Sequence, residues 1–116
     1  MPTSLNEYRL DDATITKLTV EDAVARMMVR NWQDETHVLV FEDVVGIESM
    51  SFINATLSHG EDLANDDFLA RCCAVGEEQP TEFRCFGFYS AWSDMPILKI
   101  VARSFSVTSS KVEPTA

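Results

Sequence analysis

Short segments in which hydrophobic and polar residues alternate dominate the first fifty positions of the chain. They cover residues 13–18, 23–32, 37–41 and 44–50, and their alternation with β-branched side chains is typical of strands. Short polar stretches separate them, namely Glu21-Asp22, residues 33–36 and Glu42-Asp43. Because a parallel connection needs a dozen residues or more, these short breaks predict an antiparallel meander.

The period changes between Ser58 and Gly76, where apolar residues recur at spacings of three and four, as on one face of a helix. Ser58 and Glu61 have the spacing of a capping box and Gly76 is a natural stop, which predicts a helix over about residues 61–75. Two alternatives stay open. The helix could start with Asp66 as its cap, or residues 68–75 could form a strand.

Strand character returns over residues 82–92 and 97–107, with a turn at residues 93–96 between them. The first of these segments is apolar on both sides, which is typical of a central strand covered on both faces. We expect its aromatic residues to pack in the core, together with Trp32; an alternative is that Trp32, Trp92, Tyr89 and the phenylalanines line a hydrophobic ligand pocket.

The elements together predict an α+β fold with a single antiparallel β-sheet of about six strands and one helix packed on a face. The alternative is a small β-sandwich or an open barrel. The chain of 116 residues suits one domain, 1–116, with a core over about residues 8–107 and a flexible C-terminal tail over residues 108–116.

The chain is acidic, with 19 Asp and Glu against 9 Lys and Arg and a formal net charge of −10. Residues 1–67 hold 14 acids and 4 bases, whereas residues 68–116 hold 5 of each, so the excess lies in the first part. Such a charge argues against binding to nucleic acid or to an anionic membrane. It could instead steer association with a basic protein, or serve solubility alone.

Reactive motifs do not stand out. Cys72, Cys73 and Cys85 do not make a disulfide framework, and with no secretory signal at the start we expect free thiols in a reducing cytoplasm. His37 and His59 belong to no metal-ligand pattern, and no glycine-rich phosphate loop occurs. The sequence therefore assigns no catalytic residue, no metal and no cofactor.

Six of the nine bases fall within predicted strands, where they alternate with apolar residues. The period of two places Arg26, Arg30 and Trp32 on one face of their strand, and Lys99 and Arg103 on one face of theirs. These five residues are the candidate ligand or partner surface, suited to an anionic ligand or an acidic segment of a partner. The alternative is a solvated face on which the long stems of the bases cover apolar neighbours.

The leading hypothesis for function is a non-enzymatic binding protein, for example an inhibitor or immunity-type partner of a basic protein. It depends on the charge of the first 67 residues and on the missing catalytic motifs. The second hypothesis is a small-ligand-binding protein or enzyme that uses the basic and aromatic face. Self-association through an apolar sheet face is the third.

Overall fold

The computed structural model describes residues 10–50, 53–63, 66–92 and 94–109. The first residues of the expected core, 8 and 9, and most of the expected tail, 110–116, lie outside them. The elements in chain order are β1 (Thr14–Glu21), β2 (Val24–Arg30), β3 (Thr36–Glu42), β4 (Gly46–Ser49), β5 (Leu57–Asp62), α1 (Asp67–Gly76), a 3₁₀ turn (Pro80–Glu82), β6 (Arg84–Ser90), β7 (Pro96–Ala102) and β8 (Ser104–Ser109).

The strands form two antiparallel four-stranded sheets. Sheet 1 has the order β1-β2-β3-β8 and sheet 2 the order β4-β7-β6-β5. The expected α+β class fits broadly, since one helix accompanies the strands, but the expectation of a single six-stranded sheet is wrong. The two sheets pack face to face, which is the arrangement of the sandwich alternative.

The main reason for this correction lies at Arg103. The sequence predicts one strand over residues 97–107, but the chain leaves sheet 2 after Ala102 and enters sheet 1 at Ser104. The backbone N–H of Arg103 donates to the carbonyl of Glu42 at 2.9 Å and so joins the two sheets. The corner contains no glycine or proline, but the alternation changes phase across the polar pair Arg103-Ser104, from apolar residues at even positions up to Ala102 to apolar residues at odd positions from Phe105. Such a change of phase within a strand-like segment also fits a bulge in one continuous strand, so the pattern alone does not separate the two strands.

The helix is shorter than expected. Residues 57–62 form β5, and α1 starts at Asp67 with Asp66 as its N-cap, whose side chain accepts from the backbone N–H of Phe68 at 2.9 Å. The alternative that begins the helix after Asp66 is therefore confirmed, and both the helix over 61–75 and the strand over 68–75 are wrong. The side chain of Asp66 satisfies one of the backbone donors that the first turn of α1 leaves without an intrahelical partner, which favours a start at this position.

The main core lies between the two sheets. Buried residues of sheet 1, among them Met27, Leu39 and Phe41, face buried residues of sheet 2 such as Phe86 and Ile100. The ring centroids of Phe41 and Phe86 are 5.2 Å apart, a distance typical of aromatic pairs in cores. The expectation that the aromatic residues of 82–92 pack in the core is thus confirmed for the phenylalanines of this segment, which are buried.

A second, smaller core lies on the outer face of sheet 2, under α1. Phe68 and Cys73 of the helix pack there with Val101. A side chain at Gly46 would collide with the Sγ of Cys72, and the position of Gly87 is closed by Leu63. These glycines allow the helix and its preceding loop to approach the sheet closely, and this close packing leaves sheet 2 covered on both faces.

Candidate functional site

The structure places the five candidate surface residues in three different regions. Arg26 and Arg30 stand exposed on the outer face of sheet 1, and Trp32 lies in the turn between β2 and β3. Lys99 lies on the outer face of sheet 2, beside the start of α1, and Arg103 lies at the corner between β7 and β8. Because the outer faces of a two-layer sandwich point in opposite directions, Arg26 and Lys99 do not share a surface.

Lys99 is bound into the domain. Its Nζ donates to both carboxylate oxygens of Asp66 at 3.1 Å, and only 18 % and 17 % of the two side chains are exposed. The Sγ of Cys85 lies 3.8 Å from the same carboxylate. Burial, followed by the charge of Asp66, raises the pKa of Cys85 to about 12, so its thiol is held protonated. Lys99 and Asp66 therefore fix the start of α1 to sheet 2.

Arg103 is engaged in a similar way, although it is more exposed. Its guanidinium donates to Glu82 at 2.9 Å and to Asp43 at 3.1 Å, and it lies 4.6 Å from the centre of the Phe83 ring. The hydrogen bond to Glu82 contributes most to raising the pKa of Arg103. The side chain thus holds the corner where the chain changes sheets, and its donors point at carboxylates of its own chain.

A cavity of about 650 Å³ lies between α1, the 3₁₀ turn and the ends of β5 and β6. Its wall is mostly apolar, with Leu63, Leu69 and Phe83, and its rim includes Asp62 and Arg84, which pair with each other at 3.0 Å. The volume falls in the range of small-molecule sites. The lining includes the hydroxyl of Thr81 and the thiol of Cys85, and the raised pKa of Cys85 keeps that thiol protonated.

Titratable side chains also meet on β5 and β6. The rings of His59 and Tyr89 are stacked with centroids 4.5 Å apart, and His59 lies 3.5 Å from Glu61. Burial, and then Glu61, raise the pKa of Tyr89. In the described ranges, no group of three or more His, Cys, Asp or Glu side chains is placed to hold a metal ion.

Exposed hydrophobic residues lie on the connections at the end of the sheets where β2, β4 and β6 finish, which we call the tryptophan end. Its members, all large and all between about half and nine-tenths exposed, are Trp32, Met50, Ile53, Trp92 and Met95. Trp92 is 90 % exposed and Trp32 is 54 % exposed, so the expectation that both tryptophans pack in the core is wrong. Their exposure was missed because an aromatic residue at the end of a strand pattern looks the same as one inside it.

The strand connections bring these residues to the same end. Trp32 follows β2 and Trp92 follows β6, while Met50 follows β4 and donates its backbone N–H to the carbonyl of Ile97 at 2.8 Å. The segment that follows Ile53 ties the two sheets together there, since Thr56 bridges to Thr14 of β1 and its carbonyl accepts from the N–H of Ala91 at 3.0 Å.

Hydrogen bonds fix the turns that carry both tryptophans. The Oδ1 of Asn31 accepts from the backbone N–H groups of Gln33 and Glu35, each at 2.9 Å, and closes the turn around Trp32. The backbone N–H of Trp92 donates to the Oγ of Ser90 at 3.0 Å. The two large side chains are therefore presented by ordered turns, an arrangement that reduces the entropy lost when a partner binds.

Acidic residues follow both tryptophans within their turns. Asp34 and Glu35 lie in the turn of Trp32, and Asp94 lies in the turn of Trp92. All three are exposed, and Asp34 pairs with Arg30 at 3.4 Å. A sequence signal for this surface exists, since each tryptophan is followed two positions later by an aspartate within a polar turn.

No family model, no curated protein and no solved structure matches this chain. Among the residues that the structure describes, no helix has the length and apolar character needed to cross a bilayer.

Proposed function

We propose that this protein is a non-enzymatic binding protein whose tryptophan end docks onto a basic partner protein, as an inhibitor or immunity-type partner does. The observation that carries the proposal is the placement of Trp32 and Trp92, both exposed, on hydrogen-bonded turns at one end of the sandwich. Tryptophan and methionine are enriched at the centres of protein interfaces, and tryptophan in particular among the residues that dominate binding energy.

Charge supports a basic partner over a second copy of the chain. Asp34, Glu35 and Asp94 follow the tryptophans within their turns, and the whole chain carries a formal net charge of −10. Two copies would repel each other over such a surface, whereas a basic protein would be attracted and steered to it. The exposed tryptophans would then supply most of the affinity. The acidic residues beside them would raise the rate of association and make it depend on the salt concentration.

The test uses a photo-crosslinking amino acid in place of Trp92, with the same amino acid in place of Val75 as the matched control. Val75 is 88 % exposed but lies on α1 rather than at the tryptophan end. We expect the probe at position 92, and not the probe at 75, to capture one basic protein, which is then identified and purified.

Binding of that purified partner is measured for the wild type and for the Trp32→Ala and Trp92→Ala variants. We expect each variant to bind at least about tenfold more weakly, as interface anchors do, with Val75→Ala unchanged. Association should slow as the salt concentration rises. An acidic partner, equal affinity of all variants, or capture of a second copy of the chain would each contradict the proposal.

A further inference from the structure

The outer face of sheet 1 carries three bases around one methionine, and we call these residues the Met28 patch: Lys17, Arg26, Met28 and Arg30. Lys17 of β1 is the direct neighbour of Met28 in the register, and Arg26 and Arg30 lie two positions before and after Met28 on β2. Side chains two apart on a strand share a face, and diagonal neighbours across strands are about 7–8 Å apart. The three cations therefore surround Met28 on one exposed surface.

Two bases of the Met28 patch, Lys17 and Arg26, differ from the other bases in the described part of the chain in having no carboxylate close by. Arg71, Arg84, Lys99 and Arg103 each have a carboxylate within 4.0 Å, and Arg30 has an exposed pair with Asp34. Within the described ranges, neither Lys17 nor Arg26 has such a carboxylate, although the chain holds 19 acids against 9 bases. The charge of this patch is therefore available to a ligand from outside.

Apolar side chains continue the patch across the sheet. Val38 of β3 is the neighbour of Met28, and Val40 is the neighbour of Arg26. Both valines are partly exposed on this face, since no core cluster includes them and the helix packs on the other sheet. A surface with apolar side chains and cations beside them fits a ligand whose carboxylates reach the cations while the aliphatic stems that carry them cover the apolar side chains.

We propose that the Met28 patch binds an extended acidic peptide segment of a partner protein, with acids at alternate positions so that they all face the sheet. Arg26 and Arg30 lie four residues apart, about 13 Å along the strand, which is the distance between acids at positions 1 and 5 of an extended peptide. An acid at position 3 then reaches Lys17, which lies between them in the register. Guanidinium groups bind carboxylates through two parallel hydrogen bonds, which gives this match its specificity.

The same face disfavours a long polyanion such as a nucleic acid. Glu21 and Glu42 occupy the row next to Arg26, at the end of the face where β1 and β3 finish. A strand of phosphates that continued past Arg26 would meet these carboxylates, whereas a short acidic peptide would end before them. The Met28 patch is separate from the tryptophan end, which lies on the turns rather than on the sheet face.

The experiment measures fluorescence anisotropy of a labelled eight-residue peptide in which Glu alternates with Leu and Thr. The same peptide with Gln in place of Glu, and an eight-residue oligothymidylate, are the comparison ligands. We expect the Glu peptide to bind the wild type, the Gln peptide to bind at least tenfold more weakly, and raised salt to weaken binding of the Glu peptide.

A Lys17→Gln/Arg26→Gln double variant should lose at least tenfold in affinity for the Glu peptide, and Arg71→Gln, on the exposed side of α1, should lose none. Circular dichroism and urea unfolding show that each variant is folded. Equal binding of the Glu and Gln peptides, tighter binding of the oligothymidylate, or an unchanged affinity of the double variant would each overturn the proposal. The Trp92→Ala variant should bind the Glu peptide as the wild type does, which separates this surface from the tryptophan end.

Discussion

A base alternates with apolar residues on both β2 and β7, yet Arg26 and Lys99 have different surroundings. Lys99 lies under the start of α1 with 18 % of its side chain exposed and both oxygens of Asp66 within 3.1 Å. Arg26 stands exposed on the other sheet, with no carboxylate within 4.0 Å in the described ranges. The same alternating pattern thus produces a structural ion pair where a helix covers the sheet, and an exposed cation where no described element covers it.

The comparison is tested most directly by making one substitution on each face. Lys99→Met leaves Asp66 largely buried and without its cation, so we expect the free energy of unfolding to fall by about 2–3 kcal/mol. Lys17→Met, on the open face, should change it by less than about 0.5 kcal/mol. Urea unfolding of both variants measures the difference, and equal costs would show that the two faces are not distinct in this way.

The packing of α1 on the outer face of sheet 2 also depends on the absence of a side chain at Gly46. Gly46→Ala directs a methyl group at the Sγ of Cys72, so we expect a loss of about 1–3 kcal/mol. The added Cys72→Ala change should restore part of this loss, because it removes the colliding atom. Gly76→Ala is the matched control, since its new methyl group would meet only the flexible Glu78 at 3.4 Å. A loss in Gly76→Ala as large as in Gly46→Ala would argue against tight packing of α1 on sheet 2.

The turn between β1 and β2 holds two residues other than glycine in the left-handed region of φ, whereas no residue within α1 has a positive φ. Ala23 has φ of 62° and follows Asp22 with φ of 54°, as in a type I′ turn between β1 and β2. We expect Ala23→Gly to stabilise the protein by about 1 kcal/mol, because glycine adopts this conformation freely. Ala74→Gly, the same change inside α1, should destabilise it by about 1 kcal/mol. Thermal unfolding gives both signs, and a destabilised Ala23→Gly variant would contradict the turn assignment.

The sequence predicted much of sheet 1 and of the β6–β7 hairpin, because these strands alternate and end at polar turns. It did not predict the corner at Arg103, because strand-like residues lie on both sides of Arg103-Ser104 and the change of phase there also fits a bulge within one strand. Nor did it predict β5, because the histidine, glycine and acids of residues 59–62 lack the β-branched and aromatic residues of the other strands. Strand order and sheet assignment depend on contacts between distant segments, and a local pattern does not contain these.

The five candidate surface residues lie in separate regions of the structure, and their local sequence pattern does not predict this because it contains no contacts between distant segments. Arg26 and Arg30 could be placed together from sequence, since both belong to one strand, and the structure keeps them on one open face. Lys99 could not be placed relative to them without knowing that a second sheet exists. The tryptophans were harder still, because large aromatic residues are usually buried, and only their position beside polar turns marked them as exposed.

The last effect concerns the thiol of Cys85 on the covered face and is absent at neutral pH. Its pKa is raised from 9.0 to about 12, first by burial and then by Asp66, so the unfolded chain loses this proton while the folded chain keeps it. Stability should therefore be unaffected by this group below pH 9 and should fall as the pH rises from about 9 toward 12. Urea unfolding at a series of pH values measures the decline. A Cys85→Ala variant, whatever its stability at pH 7, should show a shallower decline over that range, because an alanine has no proton to lose; an identical slope would place the titration elsewhere.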